Sequence, residues 1–450
     1  MEDRRLWTPT AARVRKDLSW DAMLATLHGC FEGVTDTSKG NPLIRLPDVL
    51  MSGFAVMALK DPSLLAFDRR RIAEEHNLRS IFHIKDIPCD TQMRTRLDEV
   101  DPELLRPAYR ALFRNAQRGK ALEKMVFMGR YYLVSLDGTG FFSSQKLFSP
   151  FCLVKTCSKS GMTIYYLQAI GAAIVNPDSR VVIPLPPEPI RKQDGDTKND
   201  CERNAAKRWI AKFKKDHPRL EAVIIEDALS PNAPHIRDIL SFGCHFILGV
   251  KETDHQYLFE HVDAAVESAK AIEHDLPDPQ NPNVHHFFRF TNDVPLNESN
   301  KDLLVNVLEY WEEGGKKPQY FSWVTDFTIT RDNVYDIMRG GRARWKIENE
   351  TFNTLKNQGY HLEHNFGLGE KFLSLTFFSL MVLAFLTDQL QELCCALYRE
   401  VRKKRGSKEE LFETIRGAFR LIVVYSMEML YRLILAGPRE YQPVPIEDSS

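Results

Sequence analysis

Two short apolar runs of β character each close on an acid: Tyr131 to Leu136 leads into Asp137-Gly138-Thr139, and Ala222 to Glu226 leads into Asp227. Runs of this length, rich in β-branched and aromatic residues and bounded by turn chemistry, are strand signals, so both aspartates are expected at strand ends. Their neighbours narrow the fold further. After Asp227, Asn232 to Leu240 has helical spacing and Cys244 to Val250 is again apolar, and strand, helix, strand in succession calls for a parallel stretch of sheet. Tyr165 to Val175 and Arg180 to Pro184 are further β-type runs, made antiparallel neighbours by the turn residues Asn176-Pro177-Asp178. The chain is therefore of the α/β class.

Ahead of Tyr131 the text is helical from Trp20 to about Arg130, with turn marks at Gly40-Asn41-Pro42 and Asp61-Pro62 and with Asp101-Pro102-Glu103 opening an amphipathic helix toward Leu122. Asp200 to Lys215 reads as a helix that is basic on one side. From about 252 to 324 the sequence becomes helix-poor in its later part, and His286 to Phe290, Leu303 to Trp311 and Tyr320 to Thr330 are aromatic-rich β-type runs resembling an inserted unit. Asp332 to Gly359 reads as a long helix broken or bent near Gly340-Gly341, with two or three more helices after it. The longest uncharged run, Phe372 to Thr387, falls short of the ~20 residues that span a bilayer and is expected as a buried helix, with no membrane partner.

At 450 residues and 43% hydrophobic content the chain can bury a large core in two to four units. Lys plus Arg (60) balances Asp plus Glu (61), so overall charge points to no polyanionic partner, and the distribution matters more. Basic runs occur at Arg69-Arg70-Arg71, Lys207 to Lys215, Arg339 to Lys346 and Arg402 to Arg405, while 252–313 is acidic; each run by itself reads as a solvated face. The eight cysteines form no CxxC pair and the start has no signal peptide, which implies a reducing, cytosolic setting. Cys152 and Cys157 have the spacing of half a zinc site, without a second pair to complete it.

Around residue 344 the periodicity becomes chemical. At about 100° per residue, Arg344, Trp345, Glu348, Phe352 and Leu355 share one side of a helix and Glu350 points the other way. A glutamate among such neighbours needs a cation or hydrogen bonds. An Arg344–Glu348 pair at i, i+4 would supply one answer, and a divalent ion the other. The strand-end aspartates favour the ion, because Mg²⁺ takes one or two carboxylates per ion and three acids from separate elements suffice. Two such ions about 4 Å apart serve phosphodiester cleavage and transfer. Each aspartate can also be read as a turn or cap residue. At the second strand end Val223, Ile225 and Asp227 alternate with Ile224 and Glu226, so one of the two acids aims at the site and the sequence leaves open which.

The order Leu136-Asp137-Gly138-Thr139, then Asp227-Ala228-Leu229, then Arg344-Trp345-Lys346-Ile347-Glu348 with Phe352 and Lys356 resembles the bacterial insertion-sequence transposases with a DDE triad, most of all the insertion-sequence-four-like group. Ile87-Pro88, Asp90-Thr91-Gln92-Met93-Arg94, Pro187-Glu188, Asp200-Cys201-Glu202, and Phe246-Ile247-Leu248 leading to Val250-Lys251 and His255 add to the likeness, which runs from roughly residue 60 to 370. The family's helix motif is Tyr-x2-Arg-x3-Glu-x6-Lys. Arg344 and Glu348 match it; Gly341 stands in the tyrosine slot with Tyr335 nearest, and Lys356 lies one residue beyond its slot, which holds Leu355.

The resemblance implies an RNase H-like catalytic core over 131–251 and 325–395, interrupted by a β-strand insertion over 252–324, with an all-α DNA-binding domain over 1–130 and a helical region over 396–450. It implies that Asp137, Asp227 and Glu348 are catalytic and hold two Mg²⁺ or Mn²⁺ ions, and that Arg344, Lys356 and Tyr335 contact DNA. An aromatic of the insertion, Trp323 or Trp311, would stack on a flipped base, with cross-strand packing as the alternative. The implied activity is cleavage of DNA at the ends of a mobile element and strand transfer into target DNA, by a homodimer in a synaptic complex, in the bacterial cytoplasm at the nucleoid. A transposase-derived DNA-binding protein that has lost catalysis, and an RNase H-like nuclease without strand transfer, are the other readings.

Overall fold

The computed structural model describes residues 17–38, 42–158, 160–191, 201–228, 230–279, 281–315 and 317–437. Asp200 and Leu229 of the family-like stretches lie outside the described residues, as do 1–16 and 438–450 of the terminal regions. The strands are β1 (Tyr132–Ser144), β2 (Leu153–Thr156), β3 (Thr163–Val175), β4 (Ile183–Ile190), β5 (Ala222–Glu226), β6 (His245–Gly249), β7 (Ile272–Pro277), β8 (His285–Pro295), β9 (Leu304–Glu313) and β10 (Gln319–Thr325).

All ten form one mixed sheet in the order β2-β3-β1-β5-β6-β10-β9-β8-β7, with β4 also on β3. β5 is buried at every position and lies parallel to both β1 and β6, as a continuous Ala-Val-Ile-Ile run should when both faces are covered. Helices Glu202–Asp216 and Ala233–Ser241 make the connections, the second capped by Asn232, whose side chain accepts from the His235 N–H at 3.2 Å. Four of the eight residues of β4 (Ile-Pro-Leu-Pro-Pro-Glu-Pro-Ile) are proline, tolerated because the strand pairs only with β3.

The elements differ in detail from the sequence expectation at three places. β1 does not stop at Asp137: it continues to Ser144 because β3 pairs with it along that length, with Asp137 opposite Gly171 and Gly138 opposite Ile170 and one register shift between Gly140 and Phe142. The strands of 252–324 continue the same sheet, since β10 pairs antiparallel with β6 (Trp323 with Gly249, Thr325 with Ile247); the stretch also holds β7 and, at its start, a helix, Gln256–Glu267, and the run from Tyr320 ends at Thr325. The helix over 332–359 is broken near Gly340-Gly341, as expected, but its second part is not regular: after Val334–Arg342 come a π-helix, Ile347–Phe352, and Asn353–Asn357. Its break falls just after Gly340 and Gly341, whose missing side chains admit Ile247 and Phe127 at the first and the Trp323 indole at the second.

The N-terminal part is helical as expected (Trp20–Glu32, Leu46–Ala58, Leu64–Ala73, Glu75–Phe82, Asp90–Asp98, Arg106–Arg118), and Asp101 caps a short 3-10 turn, accepting from the Glu103 N–H at 3.0 Å. Leu46–Ala58 is buried on every side. It packs on Leu373–Cys394, a 22-residue helix of mean hydropathy 1.6 whose most apolar window is 94% buried, so that its apolar surface is used inside the protein. Arg70 is no solvated charge: it is buried between Asp61, at 2.8 Å, and Glu74.

Candidate functional site: a carboxylate cluster at the centre of the sheet

β1 and β5 are neighbours, and that pairing brings Asp137 and Asp227 to the same region of the sheet. The π-helix packs over it, because Gly171 leaves room for the Phe352 ring and the Ser135 hydroxyl donates to the Arg344 carbonyl at 3.2 Å. Glu348 thereby joins the aspartates. Arg344 lies between two of the acids: its Nη1 donates to Glu348 Oε1 at 2.6 Å and stands 3.6 Å from Asp137 Oδ2. The structural pair inferred at i, i+4 is therefore real, and it is part of the cluster rather than an alternative to it.

The electrostatics match a crowded, partly desolvated group of acids. The Asp137 carboxyl is pushed up to about 7, by burial above all, with Arg344 pulling it down and Glu348 and Asp227 adding to the rise. The Gly138 N–H donates to Asp137 Oδ1 at 2.8 Å. Of the two adjacent acids, Glu226 is 5% exposed and takes a hydrogen bond from His235 Nε2 at 2.7 Å, whereas Asp227 is the one whose charge bears on Asp137. Burial alone would lower the His235 pKa; the Glu226 charge and hydrogen bond outweigh it and raise it.

A fourth carboxylate went unnoticed in the sequence as a site residue. Glu202, first in the helix Glu202–Asp216, occupies the space a side chain at 138 would need and is hydrogen-bonded by Gln168 Nε2. Burial and then the Asp227 charge raise its pKa. Its signal was positional, since an acid in the first turn of a helix is favoured by the helix dipole and this helix leads straight into β5. Asp137, Glu202, Glu226 and Asp227 line one cavity of ≈ 340 Å³. Asp227 also borders a larger groove of ≈ 670 Å³ walled by Lys251, Tyr320, Trp323, Arg342, Arg344 and Trp345.

Other expected residues are placed as follows. Trp345 is 48% exposed, with the Arg344 guanidinium 4.6 Å above its ring, because a π-helix repeats i to i+5 and shifts the buried side to Ile347, Thr351 and Phe352. The apolar face drawn through Trp345 is thus corrected. Trp323 is 5% exposed, with its indole against Gly341 and Phe321. Trp311 packs on Tyr320 under the Arg289 guanidinium. Tyr335 contacts His286 and Phe288 on β8, and Lys356 pairs with Glu363 at 3.1 Å, so neither is drawn into the cluster by these contacts.

Among the described residues no three His, Cys, Asp or Glu side chains close into a metal cage, and the Arg344 guanidinium stands between two of the acids. The donor set itself, carboxylate oxygen only, fits a hard cation such as Mg²⁺ or Mn²⁺. None of the eight cysteines is in a disulfide, Cys152 and Cys157 included.

No protein-family model matches the chain. No curated protein sequence matches it either. Among solved structures it is similar to the piggyBac transposase synaptic complex with hairpin DNA, at 11% identity and a TM-score of 0.40, over 98% of this chain and 87% of that one. A likeness of that degree decides nothing about chemistry.

Proposed function

We propose that this chain is a DDE transposase of the insertion-sequence type, cutting DNA at the ends of a mobile element and joining it to target DNA. The observation that carries the proposal is the convergence of Asp137, Asp227 and Glu348 from three separate elements, with Arg344 between two of them. The sheet supports it: three antiparallel strands, β4-β3-β1, continued by parallel β5 and β6, are the arrangement expected of an RNase H-like core. On this reading β7 to β10 are the β-rich insertion, the helices before β1 bind DNA, and two copies act together on two ends.

Asp137, Asp227 and Glu348 would hold Mg²⁺ or Mn²⁺, which when bound supplies an activated oxygen nucleophile and stabilises the departing oxyanion. The chain's own residues do the rest. Arg344, 13% exposed and fixed by two acids and the Trp345 ring, can offer its remaining N–H groups to a phosphate oxygen. Lys251 lies on the groove wall beside Asp227, with Arg342 held there by Glu312 at 2.5 Å. Glu202 stands close enough to Asp227 to raise or lower the charge density of the site with its own protonation.

The test uses a labelled DNA duplex carrying the element's end, with Mg²⁺ or Mn²⁺. Asp137→Asn, Asp227→Asn and Glu348→Gln should each abolish nicking and joining, while gel-shift binding of the same duplex stays within a few-fold of wild type. Undiminished cleavage by all three variants would sink the assignment, and a wild-type protein that binds the ends but never nicks them would point to a derived DNA-binding protein. Supplying a pre-cleaved end and finding no joined product would leave a nuclease without strand transfer.

A further inference from the structure

β1 and β3 do not end at the carboxylates. They run on beyond Asp137 and Gly171 to Ser144 and Thr163, and β2 doubles back against Thr163 to Tyr166, so that an arm extends about 20 Å from the cluster along the same strand. Its tip exposes apolar and aromatic side chains: Leu147 is 56% exposed, Phe148 65%, Phe151 36% and Met162 46%. The rings are held rather than loose. Phe148 stacks on Tyr165 at 5.1 Å and Phe151 on Phe372 at 6.4 Å, and the Ser144 hydroxyl accepts from the Lys146 and Leu147 N–H groups at 3.1 and 2.9 Å. Each ring is backed on one face by another ring.

Charge says what such a platform is for. Between Asp137 and Asp178 the sequence contains no Asp or Glu, in a chain where acids and bases are otherwise balanced, and Lys146 and Lys155 lie on the arm, the latter 5.2 Å from the Tyr166 ring. An apolar surface awaiting a protein partner has no reason to shed every carboxylate over such a span. A polyanion that also carries flat apolar faces does require it.

We propose that this arm receives the unpaired nucleotides of the DNA strand leaving the carboxylate cluster, with bases stacked on Phe148 and Phe151 and phosphates met by Lys146 and Lys155. The proposal rests on the transposase reading above. It is tested by fluorescence anisotropy in EDTA, which removes cleavage from the measurement, with a labelled duplex that is either blunt or carries a single-stranded extension. Phe148→Ala and Phe151→Ala should each weaken binding of the extended duplex on the order of ten-fold, the loss expected of one aromatic stack, and change the blunt duplex less than two-fold. Phe148→Tyr, which keeps the ring, should restore wild-type affinity, and circular dichroism confirms that each variant is folded. Wild-type affinity in both alanine variants, or an equal loss for blunt and extended DNA, overturns the arm while leaving the transposase reading standing. A wild-type protein that binds neither duplex overturns both.

Discussion

Asp137 illustrates how a single side chain reports its surroundings. Its carboxyl is raised from 3.8 to about 7, so the folded protein holds the protonated form better than the unfolded chain does. That contribution to stability is complete below the unfolded value and is lost as pH rises through about 7. Asp137→Asn should therefore raise the Tm at pH 8 by roughly 2 °C and leave it nearly unchanged at pH 4, as scanning calorimetry would show; equal shifts at both pH values would mean that the raised carboxyl has another origin. His235 behaves with its own sign. Its raised pKa contributes stability below 6.5 that fades as pH climbs through the folded value. Removing it as His235→Ala strands Glu226 in the interior and should cost about 3 kcal/mol in urea denaturation. The apolar runs that carry Asp137 and Asp227 and the i, i+4 spacing of Arg344 and Glu348 were legible in the sequence; that β1 runs on past Asp137 was not. Glu202 was not, because only the pairing of β1 with β3 and the placement of the helix after β4 bring it over Gly138.

Among elements, the segment carrying Glu348 shows where a periodic reading stops. Its sequence fits a regular helix throughout, but hydrogen bonding slips to i+5 over Ile347–Phe352, where the backbone must seat Phe352 over Gly171 and still present Glu348 to the aspartates. Nothing in composition marks that slip, since it is decided by a glycine some 180 residues earlier in the chain. At Gly341 any side chain would meet the Trp323 indole. Gly341→Tyr should cost roughly 1–3 kcal/mol by overpacking, and Trp323→Ala in the same chain should recover part of the loss, both read from chemical denaturation. If Gly341→Tyr is neutral, the indole is free to move aside and the groove beside Asp227 is softer than it looks.

For the whole molecule, the ends of the chain are locked together by buried charge. Lys60, from the N-terminal helices, is fully enclosed and bonds Asp388 of the helix Leu373–Cys394, with Tyr360 sharing that carboxylate and the Phe412 ring 4.2 Å away. Lys60→Met alone should destabilise by about 3–5 kcal/mol, because Asp388 keeps its charge without its cation, while Lys60→Met combined with Asp388→Leu should regain most of it. A double variant no better than the single one would show that the pair holds the helices in place rather than merely neutralising each other. The α/β class and the helical start were readable from patterns of a few residues. One sheet running from β2 to β7 was not, because the β6–β10 pairing joins segments some seventy residues apart.

The proline-filled strand β4 has a consequence for assembly. Half of its residues have no N–H to offer, the Trp209 indole already bonds the Pro186 carbonyl at 2.8 Å, and the helix Leu373–Cys394 lies along it. A second chain cannot lengthen the sheet from this edge, so neither fibre growth nor strand exchange can start here.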